Sequence, residues 1–311
     1  MHGVLKVRTT EEKAKAARIL ELKKIEEYNS IVKKYTDNRE SEQGKYNETS
    51  LSLSQKVLEE NPEFYSVWNY RKSIFNQFKE TKENEELQKL YLNEMKFIEE
   101  CIQRFPKSYW IWYHRKWISL KLDSCDWERE TKLCSKLLNL DLRNFHCWSY
   151  RRFIIQHSNI PLEKELEYTT TKIEQNFSNY SSWHQRSSIL PKIYTDAEEF
   201  IAKLQEEFEF VRNATFTEPK DSSSWIYHKW LVHTIKQIPN SNYIDILKNE
   251  LEQTNELIEL EPDCKWPILI SLLLKIEIGA YPQDELKDQI NLLIKLDNDH
   301  INYYKSLFNK I

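Results

Sequence analysis

A tryptophan followed three residues later by an arginine recurs along this 311-residue chain as Trp68/Arg71, Trp112/Arg115, Trp148/Arg151 and Trp183/Arg186. A fifth copy keeps the tryptophan and changes its partner, Trp225 with His228 and then Lys229. The tryptophans are 44, 36, 35 and 42 residues apart, and Trp266 follows 41 residues later. Repetition with a period in this range marks stacked helical hairpins, each burying its apolar face against its neighbours. On a helix, positions i and i+3 share a face, so each copy sets an indole beside a cation. The expected fold is all-α, one continuous α–α solenoid of hairpins over residues 1–311.

Helical spacing runs through the chain. Residues 1–8 read as an extended arm. Thr9 and Glu12 form a capping box for a long helix over residues 9–36, with Ile25, Tyr28, Val32 and Tyr35 on one face. Asp37 to Asn47 is polar, contains Gly44 and reads as a loop. Six to seven hairpins are expected over 48–311. Their first helices carry stripes such as Leu133, Leu137, Leu140 and Ile244, Leu247, Leu251, Thr254, Ile258. Breaks fall at Asn61-Pro62, Pro106-Lys107-Ser108, Asp141 to Asn144, Ser178-Asn179 and Pro219 to Ser224, where proline and short polar residues end one helix and cap the next. The extra length of the two longest spacings is assigned to charged connectors, Lys79 to Glu86 and Lys192 to Glu199. A degenerate seventh unit runs from Glu285 to the end, with Leu286, Ile290 and Leu293 on one face. No segment alternates with period two for long enough to propose a sheet.

Composition excludes several classes. Three scattered glycines cannot build a phosphate-cradling loop or a dinucleotide fingerprint. A net charge of -4 with interleaved Lys and Glu gives no basic face for nucleic acid. The longest apolar run, Pro267 to Leu274, is too short to cross a bilayer, and the N-terminus lacks the apolar core of a signal peptide. Five cysteines without CxxC spacing fit a reducing cytosol, so a cytoplasmic location is expected. The ten tryptophans are ample for a long packed core.

Each Trp–Arg pair admits two readings. The indole packs between hairpins while the guanidinium bonds a neighbouring loop or acid. Alternatively the second helices line one surface and carry a partner contact, for which Trp and Arg are favoured. On that second reading the interface candidates are Trp68, Arg71, Trp112, Arg115, His146, Trp148, Arg151, Trp183, Arg186 and Trp225. His114, His146, His184 and His228 lie at different offsets from their tryptophans and form no ligand set. No HExxH, CxxC or nucleophile turn is present. Interaction surface without self-contained chemistry points to a scaffold or a non-catalytic subunit.

The chain resembles the alpha subunits of protein prenyltransferases, whose repeats centre on Trp-x-x-Arg, and more narrowly those of the Rab geranylgeranyltransferases. The resemblance covers nearly the whole chain. It rests on the arm from Met1 to Val7, on Pro106-Lys107-Ser108-Tyr109, on Arg143 to Trp148 with Tyr150 to Phe153, and on Asn176 to His184. It implies a right-handed superhelical crescent of hairpins wrapped around a beta subunit, which holds the zinc and the lipid pocket. It also implies geranylgeranyl diphosphate as lipid donor, Rab GTPases as substrates and an escort protein that presents them. This chain alone would be inactive and hold no resident metal.

The resemblance carries a chemical role to one position. Lys107 would face the isoprenoid diphosphate, where a fixed ammonium stabilises the departing anion, and Tyr109 would share that rim. Farnesyltransferase-like relatives follow this tyrosine with a glutamine that holds a substrate carboxylate. Here the residue is Trp110, whose indole cannot accept as an amide does. That departure fits an enzyme that does not read a free C-terminal tetrapeptide, and it weighs against the alpha subunit shared by farnesyltransferase and type I geranylgeranyltransferase. His2, on the arm, is a further candidate, an imidazole able to occupy an open zinc position on the partner transiently. A non-enzymatic tetratricopeptide-like scaffold would repeat every ~34 residues with small residues at its helix contacts, and this chain does neither.

Overall fold

Leu, Glu and Lys with few glycines make long stretches of this sequence good helix formers. A computed structural model describes residues 10–41, 45–239 and 241–311. Among them fifteen α-helices follow one another without a strand: α1 Glu11–Glu40, α2 Glu48–Glu60, α3 Tyr65–Thr81, α4 Asn84–Arg104, α5 Tyr109–Ser119, α6 Trp127–Leu140, α7 Phe145–His157, α8 Leu162–Gln175, α9 Tyr180–Ile193, α10 Ala197–Thr217, α11 Ser222–Lys236, α12 Tyr243–Leu260, α13 Lys265–Ile278, α14 Gln283–Leu296 and α15 Ile301–Leu307. From α2 onward they pair as helical hairpins. None of them is long and apolar enough to cross a membrane.

The chain packs as two compact units, one up to Leu140 together with Asn144–His157, the other Asp141–Arg143 with Ser158–Ile311. In the first, α1 lies on α2, and the second helices α3, α5 and α7 pack side by side. Ile74, Phe75, Ile98, Ile102 and Ile118 are fully buried there. In the second unit, α9, α11 and α13 pack side by side, with α10 against α12. Its core gathers Trp183, Leu204, Phe208, Val211 and Leu231, then Ile268, Leu272, Leu286, Ile290 and Leu293 in the last hairpins. The stripe foreseen for the seventh unit is thus buried on α14.

The turns use the chemistry that their residues predict. Asn47, Asn179, Asp196 and Asp221 each accept a hydrogen bond from backbone N–H groups of the helix that follows. Gly279, at φ +74°, ends α13 in the left-handed conformation that glycine adopts freely.

Three boundaries differ from the sequence reading. Helix α1 continues to Glu40 instead of giving way to a loop at Asp37, because Asn38 accepts from Ser50 Oγ at 2.8 Å and Arg39 lies over the Tyr70 ring. The capping residue Thr9 lies outside the described residues, as does Gly44. The extra length of the long spacings is helical. Helices α4 and α10 have 21 residues each, against 14 in α6 and α8. Most of the Lys and Glu read as connectors are strong helix formers on exposed helix faces, while Lys82 and Glu83 link α3 to α4.

Candidate functional site

In the five repeats the tryptophan is the fourth residue of the second helix. Its indole N–H donates back across the inter-helix turn. Trp68 reaches the Pro62 carbonyl, Trp112 that of Pro106, Trp183 that of Phe177 and Trp225 that of Pro219, each at 2.8 Å. The tryptophan therefore fills the core and fastens the turn that precedes it.

The arginine, almost one turn further on, joins three helices. Arg115 donates from Nε and Nη2 to Glu130 at 2.7 Å each, and Arg186 to Glu207 at 2.6 Å each. Arg71 makes the same paired contact with Glu94. In each case the glutamate belongs to the first helix of the next hairpin. The remaining Nη1 turns back to the arginine's own hairpin, to the Leu51, Met95 and Leu166 carbonyls. Arg151 likewise reaches Ser135 Oγ at 2.9 Å and the Thr131 carbonyl. Charges are buried only when they are paired and hydrogen-bonded, and these are.

The glutamates are gripped from a second side. Two residues after each tryptophan, His114, Tyr150, Gln185 and Tyr227 bond Glu94, Glu130, Glu165 and Glu207, all twenty residues away in sequence. Burial pushes the Glu94 carboxyl up, but the Arg71 guanidinium and His114 outweigh it and leave the group lowered to about 2. In the fifth repeat His228 Nε2 lies 3.1 Å from Glu250, and Arg212 of α10 supplies the missing guanidinium at 2.6 Å. Departure from arginine at 228 is thus compensated by a neighbour.

This carboxylate row was legible and was missed. Glu94, Glu130, Glu165 and Glu207 each stand eighteen residues before a repeat tryptophan. Glu250 stands eighteen before Ile268, the buried fourth residue of α13, so Ile268 and not Trp266 takes the tryptophan's place. Pro267 then falls in the first helical turn, where its missing N–H costs nothing.

The same geometry corrects the interface expectation. Trp68, Arg71, Trp112, Arg115, Trp148, Arg151, Trp183, Arg186 and Trp225 are at most 4% exposed. They are internal staples and offer no surface to a partner. Exposure falls one turn earlier, on Tyr65, Tyr109, Phe145 and Tyr180, the first residues of α3, α5, α7 and α9.

Two of these rings frame Lys107. The Pro106 carbonyl accepts from both the Trp112 indole and the Asn144 amide, at 2.8 and 3.1 Å, which fixes the turn that carries the lysine. Asn144 also caps α7 through the Cys147 N–H. His146, 6% exposed, lies edge-on to Tyr109 at 4.3 Å between ring centroids, with Phe145 5.6 Å from Tyr109. Burial lowers the His146 pKa, opposed by its hydrogen bond with the Lys107 backbone. Lys107 is therefore exposed on a turn fixed on both sides, beside the cluster of Tyr109, Phe145 and His146. Trp110 packs at a tilt against Tyr65 of the preceding repeat, with ring centroids 5.4 Å apart. Such a corner can place one fixed positive charge against an anionic group.

Among the described residues no three His, Cys, Asp or Glu side chains come together as metal ligands. His2 lies outside the described residues.

The family model for the protein prenyltransferase alpha subunit repeat matches residues 47–78, 91–122, 127–158, 162–193 and 204–235. The chain is 70% identical, over all 311 residues and the whole of the relative, to geranylgeranyl transferase type-2 subunit alpha of Dictyostelium discoideum. The human protein of that name is 41% identical over 241 residues, which are 75% of this chain and 42% of the relative. Among solved structures, Candida albicans protein geranylgeranyltransferase-I complexed with GGPP shares the fold at a TM-score of 0.73 and 20% identity, covering 92% of this chain and 90% of that one. The chain belongs to the protein prenyltransferase alpha-subunit family, among the geranylgeranyl transferase type-2 alpha subunits.

Proposed function

We propose that this chain is the alpha half of a heterodimeric protein geranylgeranyltransferase, which moves the geranylgeranyl group from its diphosphate to C-terminal cysteines of Rab GTPases presented by an escort protein. The carbon–oxygen bond to the diphosphate breaks and a carbon–sulfur bond to the cysteine forms. In this reading a zinc ion would belong to the beta subunit, where it would supply a lowered pKa for the acceptor thiol. No ligand set for it is found among the described residues of this chain. What this chain supplies is a scaffold and one charge. The Lys107 ammonium meets the oxygens of the departing diphosphate, and Tyr109 lines the same rim.

The observation that carries the proposal is the doubly anchored Pro106 carbonyl, which makes the Lys107 corner rigid before any ligand arrives. A preorganised donor aimed at developing negative charge needs no reorganisation in the transition state. The corner lies in the first unit, next to the exposed rings of α3, α5 and α7.

The test is single-turnover prenyl transfer by the assembled enzyme. Lys107→Ala should lower the rate on the order of ten- to a thousandfold while leaving assembly and escort binding intact. Lys107→Arg should retain part of the rate, since it keeps the charge and loses the compact ammonium. A Lys107→Ala enzyme with the parent single-turnover rate would reduce this chain to a scaffold.

A further inference from the structure

Four of the five repeats place a second cation just after the residue that follows the tryptophan by three; the fourth repeat has Ser187 there. Four residues beyond the tryptophan stand Lys72, Lys116, Arg152 and Lys229. Lys72 and Lys116 make the same unusual contact. The Lys72 ammonium lies 4.1 Å from the Tyr113 ring centroid and 5.8 Å from that of Trp117, both on the next second helix, α5. The Lys116 ammonium lies 3.0 Å from Ser149 Oγ and 5.6 Å from the Phe153 ring, at the two equivalent positions of α7. Both lysines are half-buried. Among the described residues no carboxylate pairs with either. Burial lowers the pKa of Lys72, and burial with the Arg152 charge lowers that of Lys116.

In the second unit Lys229 repeats the theme in a groove. It borders a cavity of about 320 Å³ between α11 and α13, floored by Val232, Ile270 and Leu274, with Lys310 at the rim. Burial and the Lys310 charge lower its pKa. Glu277, also on this cavity, is held by Lys236 at 2.5 Å. Every guanidinium described at the preceding repeat position is engaged inside the chain, whereas the Lys72 and Lys116 ammoniums are half-buried and, like the more exposed Lys229, meet no carboxylate among the described residues. Aromatic faces compensate only part of that loss.

We propose that the cation four residues after the repeat tryptophan, Lys72 and Lys116 in the first unit and Lys229 in the second, is a docking contact for carboxylates on the surface of the companion subunit. The inference rests on the heterodimer reading above and adds the chemistry of the contact. Charge complementarity selects an acidic partner, and the aromatic and aliphatic surroundings select one with apolar side chains beside its carboxylates. A protein is favoured over an anionic bilayer because the Lys72 and Lys116 ammoniums sit between neighbouring second helices, where a protruding carboxylate side chain reaches them and a flat layer of headgroups does not.

The experiment measures the dissociation constant of the full heterodimer at low and high salt for Lys72→Gln, Lys116→Gln and Lys229→Gln, with exposed Lys136→Gln as control. Each docking variant should weaken assembly on the order of tenfold, and Lys229→Glu on the order of a hundredfold, with a shallower salt dependence. The three free Gln variants should melt at or above the parent temperature, since an uncompensated charge has been removed from each. A heterodimer that forms with unchanged affinity in all three Gln variants overturns the docking inference and leaves the heterodimer standing. Failure of the parent chain to bind any beta subunit overturns both. Binding to phosphatidylserine vesicles that is abolished by the same three substitutions, with subunit affinity unchanged, would move the contact to a membrane and overturn the inference.

Discussion

Arg115 and Glu130 are joined by two parallel hydrogen bonds of 2.7 Å, with both side chains essentially out of contact with solvent. The pair spans two hairpins, and its sequence separation is only fifteen residues. Glu130 also accepts from Tyr150, and Arg115 Nη1 donates to the Met95 carbonyl. Removing one partner therefore strands a buried charge among groups built to pair with it.

Arg115→Ala should cost about 3–5 kcal/mol, the usual scale for breaking a buried ion pair from one side. Replacing both partners by apolar residues of similar volume should cost less than Arg115→Ala alone. Urea unfolding of the chain and the two variants checks this, and equal midpoints for the parent and Arg115→Ala would contradict it.

The tyrosine two residues after the tryptophan makes a finer prediction. Tyr227 donates to Glu207 at 2.7 Å in a buried site, while Tyr70 meets only Ser50 at 3.4 Å. Tyr227→Phe should destabilise by about 1.5–3 kcal/mol, as expected for a hydrogen bond to a charged acceptor. Tyr70→Phe should cost well under that. Thermal melts of the two variants, compared side by side, decide the order.

Acid should weaken the fold in two stages. Burial lowers the His114 pKa from 6.5, with hydrogen bonding to Glu94 only partly opposing it. Below pH 6.5 the unfolded imidazole takes up a proton that the folded one refuses, so acidification favours unfolding. Glu94 titrates near 4.5 when unfolded and at about 2 when folded, so its contribution is complete above pH 4.5 and drains away as the pH falls toward 2. Melting temperatures measured downward from neutral pH should fall gently at first and steeply below pH 4.5. His114→Gln should flatten the upper part of that curve and soften the lower part, where Arg71 still holds Glu94 down.

The Lys107 corner should fail when its anchors are cut. Trp112→Phe combined with Asn144→Ala removes both hydrogen bonds to the Pro106 carbonyl. Single-turnover transfer by the heterodimer should fall on the order of tenfold, the effect of losing preorganisation of one electrostatic group. Adding Lys107→Ala to that pair should cost less than it does in the parent, because groups that act as one unit are not additive. Full additivity would separate the anchors from the lysine.

Helices, repeats and the caps that separate them were determined by sequence alone, because they depend on neighbours within a turn or two. The tryptophan period announced stacked hairpins, and Asn179 and Asp221 cap their helices as their types predict. The likeness of Pro106 to Tyr109 and of Arg143 to Phe153 to prenyltransferase alpha subunits pointed to the family that the comparisons then established. What the i, i+3 spacing could not say was which way each pair points. Tertiary structure turned Trp112 and Arg115 inward, left Tyr109 exposed and held Lys116 half-buried against α7. It set Ile268 in the place suggested for Trp266, and it extended α4 and α10 through residues read as connectors. The reason is that burial of a guanidinium is decided by whether a carboxylate from another hairpin meets it. That condition lies between elements, beyond the reach of any local periodicity.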